Sequence, residues 1–349
     1  METLLTQTLA PPIDLSPVRW GVLGAANIAV KKVIPAMLGS GNTPVVAIAS
    51  RNLANARAAA EALGIAKAYG SYEELLADPE VEAVYIPLPN HLHVPWSIRA
   101  AEAGKHVLCE KPIGLNAQEA RSLLAVRERT GVTMGEAFMT RTHPQWLTVR
   151  EMVRAGRVGE LRLISGHFSY FKDDPSNIRS RPEFGGGALM DIGCYPVTLS
   201  RMIFEAEPMR VLALIEKHPE LGVDRLTSVI MEFPTGQATF TCSMQLVPYQ
   251  RMQVMGTKGR IEVEIPFNAP PDQSSRLYLD DGSGLRGEGI ETIELPTVDQ
   301  YALQAQLFSA VVRGRGEVPV PLEDAIKNMA VIDALFRSAE SGRWEEPES

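Results

Sequence analysis

The sequence predicts an α/β chain in which a doubly wound parallel sheet is followed by an α+β domain with an open, mostly antiparallel sheet. Three observations carry this prediction. From Arg19 onward short apolar runs alternate with amphipathic helical patterns, which is how serial βαβ units read. Beyond about Phe138 the runs lengthen and alternate with period two, as an antiparallel sheet with one covered face requires. At 349 residues, 45% of them hydrophobic, the chain exceeds what one core supports and supplies enough for two.

Five runs suit buried strands, at 20–23, 45–49, 83–87, 106–109 and 132–135. Between them, helical patterns at 53–63 and 95–103 stop at Gly64 and Gly104, where a left-handed cap is wanted. Ser71 with Glu74, and Asn116 with Glu119, have N-cap and N3 spacing, so two further helices start there. In the second half, strands are expected at 161–171, 226–233, 237–244 and 251–255. Thr239, Thr241 and Ser243 there alternate with Phe240, Cys242 and Met244. Residues 270–290, rich in Pro, Gly, Asp and Ser, read as a surface hairpin or loop. Helices are expected at 300–313 and 322–338, the last packing back on the first domain. Pro11, Pro12 and Pro17 oppose a continuous helix, so residues 1–17 read as an extended arm or a disordered tail. The domains are then 18–138 and 139–349.

A net charge of −8 argues against a nucleic-acid or anionic-membrane partner, either of which calls for clustered Lys and Arg, and leaves a small molecule as the expected partner. Cys109, Cys194 and Cys242 are far apart and form no C-x-x-C pair, which excludes a tidy disulfide framework or zinc ribbon and fits a reducing cytoplasm. The N-terminal stretch lacks the basic and apolar regions of a signal peptide, and no apolar run reaches the ~20 residues of a membrane span.

The first strand runs into Gly24-Ala25-Ala26-Asn27-Ile28-Ala29, where a G-x-G-x-x-G/A turn would set a dinucleotide pyrophosphate on a helix N-terminus. Ala26 replaces the second glycine; Ala29 is the permitted third residue. The motif is weak alone, but it opens the first βα unit, as a Rossmann domain requires. At the end of the second strand, where an NAD-specific domain carries Asp or Glu, stand Ser50 and Arg51. A hydroxyl and a guanidinium accept a 2′-phosphate that a carboxylate would repel, so NADP is expected over NAD. His91 and His93, without nearby carboxylates or thiols, make a poor metal site, and no metal is expected.

Leu88-Pro89-Asn90 and His93 follow the third of these strands, and Glu110-Lys111-Pro112 the fourth. Downstream come Glu136-Ala137-Phe138-Met139, His143-Pro144-Gln145, and a run from Gly185 to Gly187 leading through Asp191 to Tyr195. On these motifs, over nearly all of residues 19–340, the chain resembles the glucose-fructose oxidoreductase, inositol dehydrogenase and rhizopine-catabolism (Gfo/Idh/MocA) family. It is most similar to the branch with glucose-fructose oxidoreductase, NADP xylose dehydrogenase and dimeric dihydrodiol dehydrogenase. The resemblance implies hydride transfer between nicotinamide and a sugar or polyol-like substrate, with Lys111, Tyr195 and Asp191 as the catalytic group. It also implies cofactor contacts from Gly24 to Ile28, Ser50, Arg51, Leu88, Pro89, Asn90, His93, Glu110 and Lys111, and a substrate pocket shaped by His93, Phe138, Met139, Arg141 and Arg179. Related branch activities are dihydrodiol oxidation and anhydro-ketose reduction, and a nucleotide sensor on the same fold is the non-enzymatic alternative.

The residues themselves give this chemistry a rationale. Asp191 and Tyr195 are i and i+4, so one helix face would present both. An unperturbed tyrosine ionises near ~10, and a neighbouring ammonium would bring it toward working pH. A buried tyrosine capped by a carboxylate is the structural alternative for that pair. The open face of the second sheet is expected to pair with another copy, giving a homodimer or homotetramer.

Overall fold

The computed structural model describes residues 16–348, so the expected N-terminal arm lies, apart from Ser16 and Pro17, outside the described residues. Strands and helices alternate without exception through the first domain: β1 (Trp20–Leu23), α1 (Ile34–Gly39), β2 (Val45–Ala49), α2 (Leu53–Leu63), β3 (Lys67–Tyr69), α3 (Tyr72–Leu76), β4 (Ala83–Ile86), α4 (His93–Glu102), β5 (His106–Glu110), α5 (Ala117–Thr130) and β6 (Met134–Ala137). All pairings are parallel, in the order β3-β2-β1-β4-β5-β6. The order reverses between β1 and β4, and there the carboxyl ends of the strands open the crevice in which such folds bind ligands.

The two expected caps close as read. Ser71 Oγ accepts the Glu74 N–H at 3.2 Å, and Asn116 Oδ1 accepts that of Glu119 at 2.8 Å while Glu119 Oε2 takes the Leu115 N–H at 2.7 Å. Two readings shift. The short edge strand β3 is only half-buried and lacks the apolar run that marks the others. Strand β6 starts and ends two residues later than its apolar run, because Glu136, which reads as a strand end, is buried within it.

The second domain follows as α6 (Pro144–Arg154), β7 (Leu161–Phe171), α7 (Cys194–Phe204), β8 (Arg210–Lys217), β9 (Asp224–Phe233), β10 (Gly236–Ser243), β11 (Gln245–Gly256), β12 (Arg260–Val263), β13 (Ser275–Asp280), β14 (Ile290–Leu295), α8 (Gln300–Val312) and α9 (Leu322–Ser341). The sheet order is β14-β13-β12-β11-β7-β10-β9-β8, antiparallel except for β7 beside β10. Segment 270–290 is therefore partly ordered: β13 and β14 form an edge hairpin around a loop.

Helices α6, α7 and α9 pack on one face of this sheet. Helix α9 also lies against α5, where Asp333 Oδ2 accepts the Ala117 N–H at 2.8 Å. Helix α8 covers the first sheet: Ala305 and Phe308 share a core with α1, and the Trp20 indole donates to Ser309 Oγ at 3.1 Å. Among the described residues no helix is long and apolar enough to cross a membrane.

Candidate active site

Gly24 leaves β1 at φ +118, a backbone that side chains rarely adopt, and a Cβ there would sit 3.0 Å from the Leu88 side chain. The turn thus passes close to the loop after β4, leaving Ala25, Asn27 and Ile28 partly exposed at the start of a helical run that is a π-turn over Ala29–Val33. The first amides of such a run lack carbonyl partners, which makes this end a cradle for an anion. On the neighbouring strand end, Ser50 Oγ accepts the Asn52 N–H at 3.4 Å, while exposed Arg51 lies near enough to the Tyr72 phenol for its charge to favour the phenolate. Tyr72 in turn packs edge-on against Trp96.

Across the crevice, the loop after β5 carries Lys111, joined to Pro112 by a cis peptide. Its ammonium donates to the Asp191 main-chain oxygen at 2.5 Å, lies 3.5 Å from Asp191 Oδ1, and sits 4.7 Å from the Tyr195 ring centroid. Asp191 Oδ2 takes the Arg179 guanidinium at 2.8 Å and the Tyr170 hydroxyl at 2.6 Å. Burial alone would push the Asp191 carboxyl up, yet the Arg179 and Lys111 cations and the hydrogen bonds to it hold it well below the usual carboxylate range. Asp191 is therefore an ionised acceptor, and Lys111 stays charged.

Asp191 and Tyr195 do not share an ordinary α-helical face. A π-turn over Leu189–Gly193 precedes α7, and π-turns recur at functional sites. The turn is anchored by Asp224, whose Oδ2 accepts the Leu189 N–H at 2.7 Å, and burial pushes the Asp224 carboxyl up to about 7. Only glycine fits at 187, where φ is +111 and a Cβ would stand 1.8 Å from Asp224 Oδ1.

Tyr195 is packed among Phe138, Phe168 and Phe267, and its hydroxyl donates to Met139 Sδ at 3.7 Å. The expected lowering of its pKa does not occur in this arrangement. Burial pushes the phenol well above its ordinary value, because the Lys111 charge is engaged by Asp191 and lies over the ring face, away from the hydroxyl.

The structure thus brings Lys111, Asp191, Tyr195, Phe138, Met139 and Arg179 together. Two residues expected in the pocket are directed elsewhere. Arg141 donates to Thr198 Oγ1 at 2.9 Å and Asp324 Oδ2 at 3.1 Å, because α9 places an acid beside it. His93 is sealed in, with Nδ1 facing Pro112 O and Nε2 facing Leu88 O, both at 2.7 Å, and burial pushes its pKa down to about 4. It joins the loops after β4 and β5. Asn90 Nδ2 spans the crevice to Gly185 O at 2.8 Å, beside a stack of His91 on Phe184.

Tyr170 and Glu136 were not legible as site residues. Tyr170 lies on a strand with no motif about it. Glu136 sits inside a motif, but nothing in the sequence says that its carboxyl is buried.

Residues 18–138 match the family model described as an oxidoreductase family with an NAD-binding Rossmann fold, and residues 146–262 match the GFO/IDH/MocA C-terminal domain. An uncharacterized oxidoreductase of Rhizobium meliloti is 51% identical over 94% of this chain and 98% of its own. The D-xylose 1-dehydrogenase (NADP(+)) 2 of Haloferax volcanii is 40% identical over 93% of this chain and 98% of its own. Among solved structures, a 3-ketoreductase from Actinomadura kijaniata, in complex with NADP and TDP-benzene, superposes with a TM-score of 0.86 at 30% identity, covering 93% of this chain and 98% of that one. That enzyme has also been solved with a lysine changed to alanine and with a tyrosine changed to phenylalanine, two positions as far apart in its sequence as Lys111 and Tyr195 are here.

Proposed function

The chain belongs to the Gfo/Idh/MocA oxidoreductase family, and from that premise we propose that it moves a hydride between NADP and a sugar or sugar-like polyol, with Tyr195 as the proton carrier. The observation that carries the reading is the Lys111 ammonium, seated between the Asp191 carboxylate and the Tyr195 ring at the mouth of the crevice. The lysine and tyrosine separation shared with the ketoreductase variants supports the same pair.

The residues present fit the dinucleotide. Gly24 gives the close approach, the amides from Ala25 to Ile28 offer donors to a pyrophosphate, and Ser50 with Arg51 offers a hydroxyl and a cation to a 2′-phosphate. Leu88, Pro89, Asn90 and Glu110 would line the inner part of the crevice. When bound, the nicotinamide supplies or accepts the hydride.

Asp191, ionised and already accepting from Tyr170 and Arg179, would accept substrate hydroxyls in place of one of these donors. Phe138 and Met139 exclude water around the Tyr195 hydroxyl. Lys111 holds the Asp191 main chain and so fixes the π-turn that leads into the helix carrying Tyr195.

One observation favours the reductive direction. Burial keeps the Tyr195 phenol protonated, which suits an acid delivering a proton to a carbonyl oxygen, as in a keto-sugar or anhydro-ketose. The assay that tests both directions follows NADPH absorbance with a panel of aldoses and of keto-sugars. No turnover with any of them, in protein that binds NADP, would leave the sensor reading in place.

A further inference from the structure

We propose that Glu136 is a positioning residue for Lys111: a protonated carboxyl that accepts the Ile113 N–H with one oxygen and donates across an internal cavity to Gln304 with the other. The proposal rests on the reading of Lys111 given above, but its central test does not depend on activity.

Pro112 has no N–H, so the first main-chain donor after Lys111 is that of Ile113. It reaches Glu136 Oε1 at 2.8 Å. The other carboxyl oxygen, Oε2, is fully buried without a partner, and so is Gln304 Oε1. Both residues line one cavity of about 10 Å³, with Leu108, Phe138, Thr142, Phe308 and Val318 around them.

With the Gln304 amide turned as it is here, its oxygen and an ionised Glu136 carboxyl would be two buried acceptors on one space, which is repulsive. Protonation turns one of them into a donor and satisfies both, directly or through the single water that a cavity of this size admits. The surrounding charges agree. Asp324 opposes ionisation, and the two nearby cations, Arg141 and Arg201, are both already engaged by Asp324. Burial, with Asp324, pushes the Glu136 carboxyl up to about 8. Gln304 belongs to α8, which packs on α1 at the dinucleotide turn, so the pair would tie the Lys111 loop to the element covering the cofactor helix.

The test begins with carbon NMR of protein labelled at glutamate carboxyls, with the Glu136→Gln spectrum identifying the signal. The expected result is a neutral carboxyl at pH 7 that ionises near 8; a carboxylate signal at pH 7 overturns the proposal. An amide can accept from Ile113 and donate to Gln304, so Glu136→Gln should keep kcat within a few-fold of wild type and abolish any decline above pH 8. Glu136→Ala should lower kcat by about ten-fold or more while leaving NADP affinity by fluorescence within a few-fold. Equal losses in both variants would overturn the positioning role. If the alanine variant fails to fold, the NMR titration and the glutamine pH profile still decide. Loss of the Tyr195 reading alone would leave the NMR result unmoved.

Discussion

The Lys111 ammonium lies 4.7 Å from the centre of the Tyr195 ring, while the Tyr195 hydroxyl points to Met139 Sδ. That hydroxyl's bond to sulfur, at 3.7 Å, is weak. Tyr195→Phe should therefore alter stability by less than ~1 kcal/mol. As it deletes the proposed proton carrier, kcat should fall by ~10² to 10⁴ with NADP binding retained. Steady-state kinetics on protein whose bound cofactor is verified by fluorescence checks this, and activity within a few-fold of wild type would remove Tyr195 from the mechanism.

Lys111→Met removes one of two cations from Asp191 but leaves Arg179 and Tyr170 bonded to it. The carboxylate should remain ionised, and its pKa should rise from its depressed value. The loss in kcat should equal or exceed that of Tyr195→Phe, and the double variant should be little worse than the poorer single one, since the two residues act as a unit. Additive losses in a double-mutant cycle would assign them separate roles.

The pH dependence follows from burial of the phenol. Its pKa stands well above the ordinary value, with burial the chief cause and the Tyr301, Cys194 and Glu110 neighbours adding to it. Reduction, which needs the protonated phenol, should be flat through neutral pH. Oxidation, which needs the phenolate, should climb with pH without levelling near neutrality. An oxidative rate that levels below pH 8 would contradict a phenol held this high.

How much of this was legible beforehand can be traced residue by residue. The strands of the first sheet announce themselves because a parallel sheet covered on both sides needs unbroken apolar runs, and Gly24 stands where the first run ends. The Lys111–Asp191 contact joins residues 80 apart and was readable only through family resemblance. The partner of Arg141 was not readable, because a motif gives its position and not its direction: Asp324, on α9, takes its guanidinium. Tyr170 could not be found at all, since its role exists only once β7 passes beside the π-turn at Asp191.

Arg51→Ala should raise KM for NADP and leave that for NAD nearly unchanged. The guanidinium is exposed at the end of β2, beside the Tyr72 phenol, and no carboxylate stands at that strand end to hold ribose hydroxyls. A wild-type kcat/KM higher with NAD than with NADP would overturn the assignment.

The last prediction concerns the sheet of the second domain, which, among the described residues, helices cover on one face only. The ladder register aligns Leu214, Ser228, Thr241, His167 and Arg251 in one row across the other face. Ile230, Thr239, Ser165 and Gln253 form the row beside it. This face is more mixed than an uncovered apolar sheet would be: its polar rows lie between exposed Leu214 and Ile230 toward β8 and exposed Tyr249 on β11, whose ring lies beside His167. Leu214 is 76% exposed and Ile230 37%, an arrangement that suits an interface with an apolar region and hydrogen-bonding rows. Pairing of two copies through this face should give a closed homodimer or a dimer of dimers. Leu214→Asp with Ile230→Asp would bury two carboxylates against a copy of themselves, so the variant should sediment as a monomer while its fold is retained, since both side chains point away from the core. A wild-type protein that sediments only as a 38.1 kDa species at micromolar concentration would exclude the pairing, and a double variant that stays oligomeric would move the interface to another face.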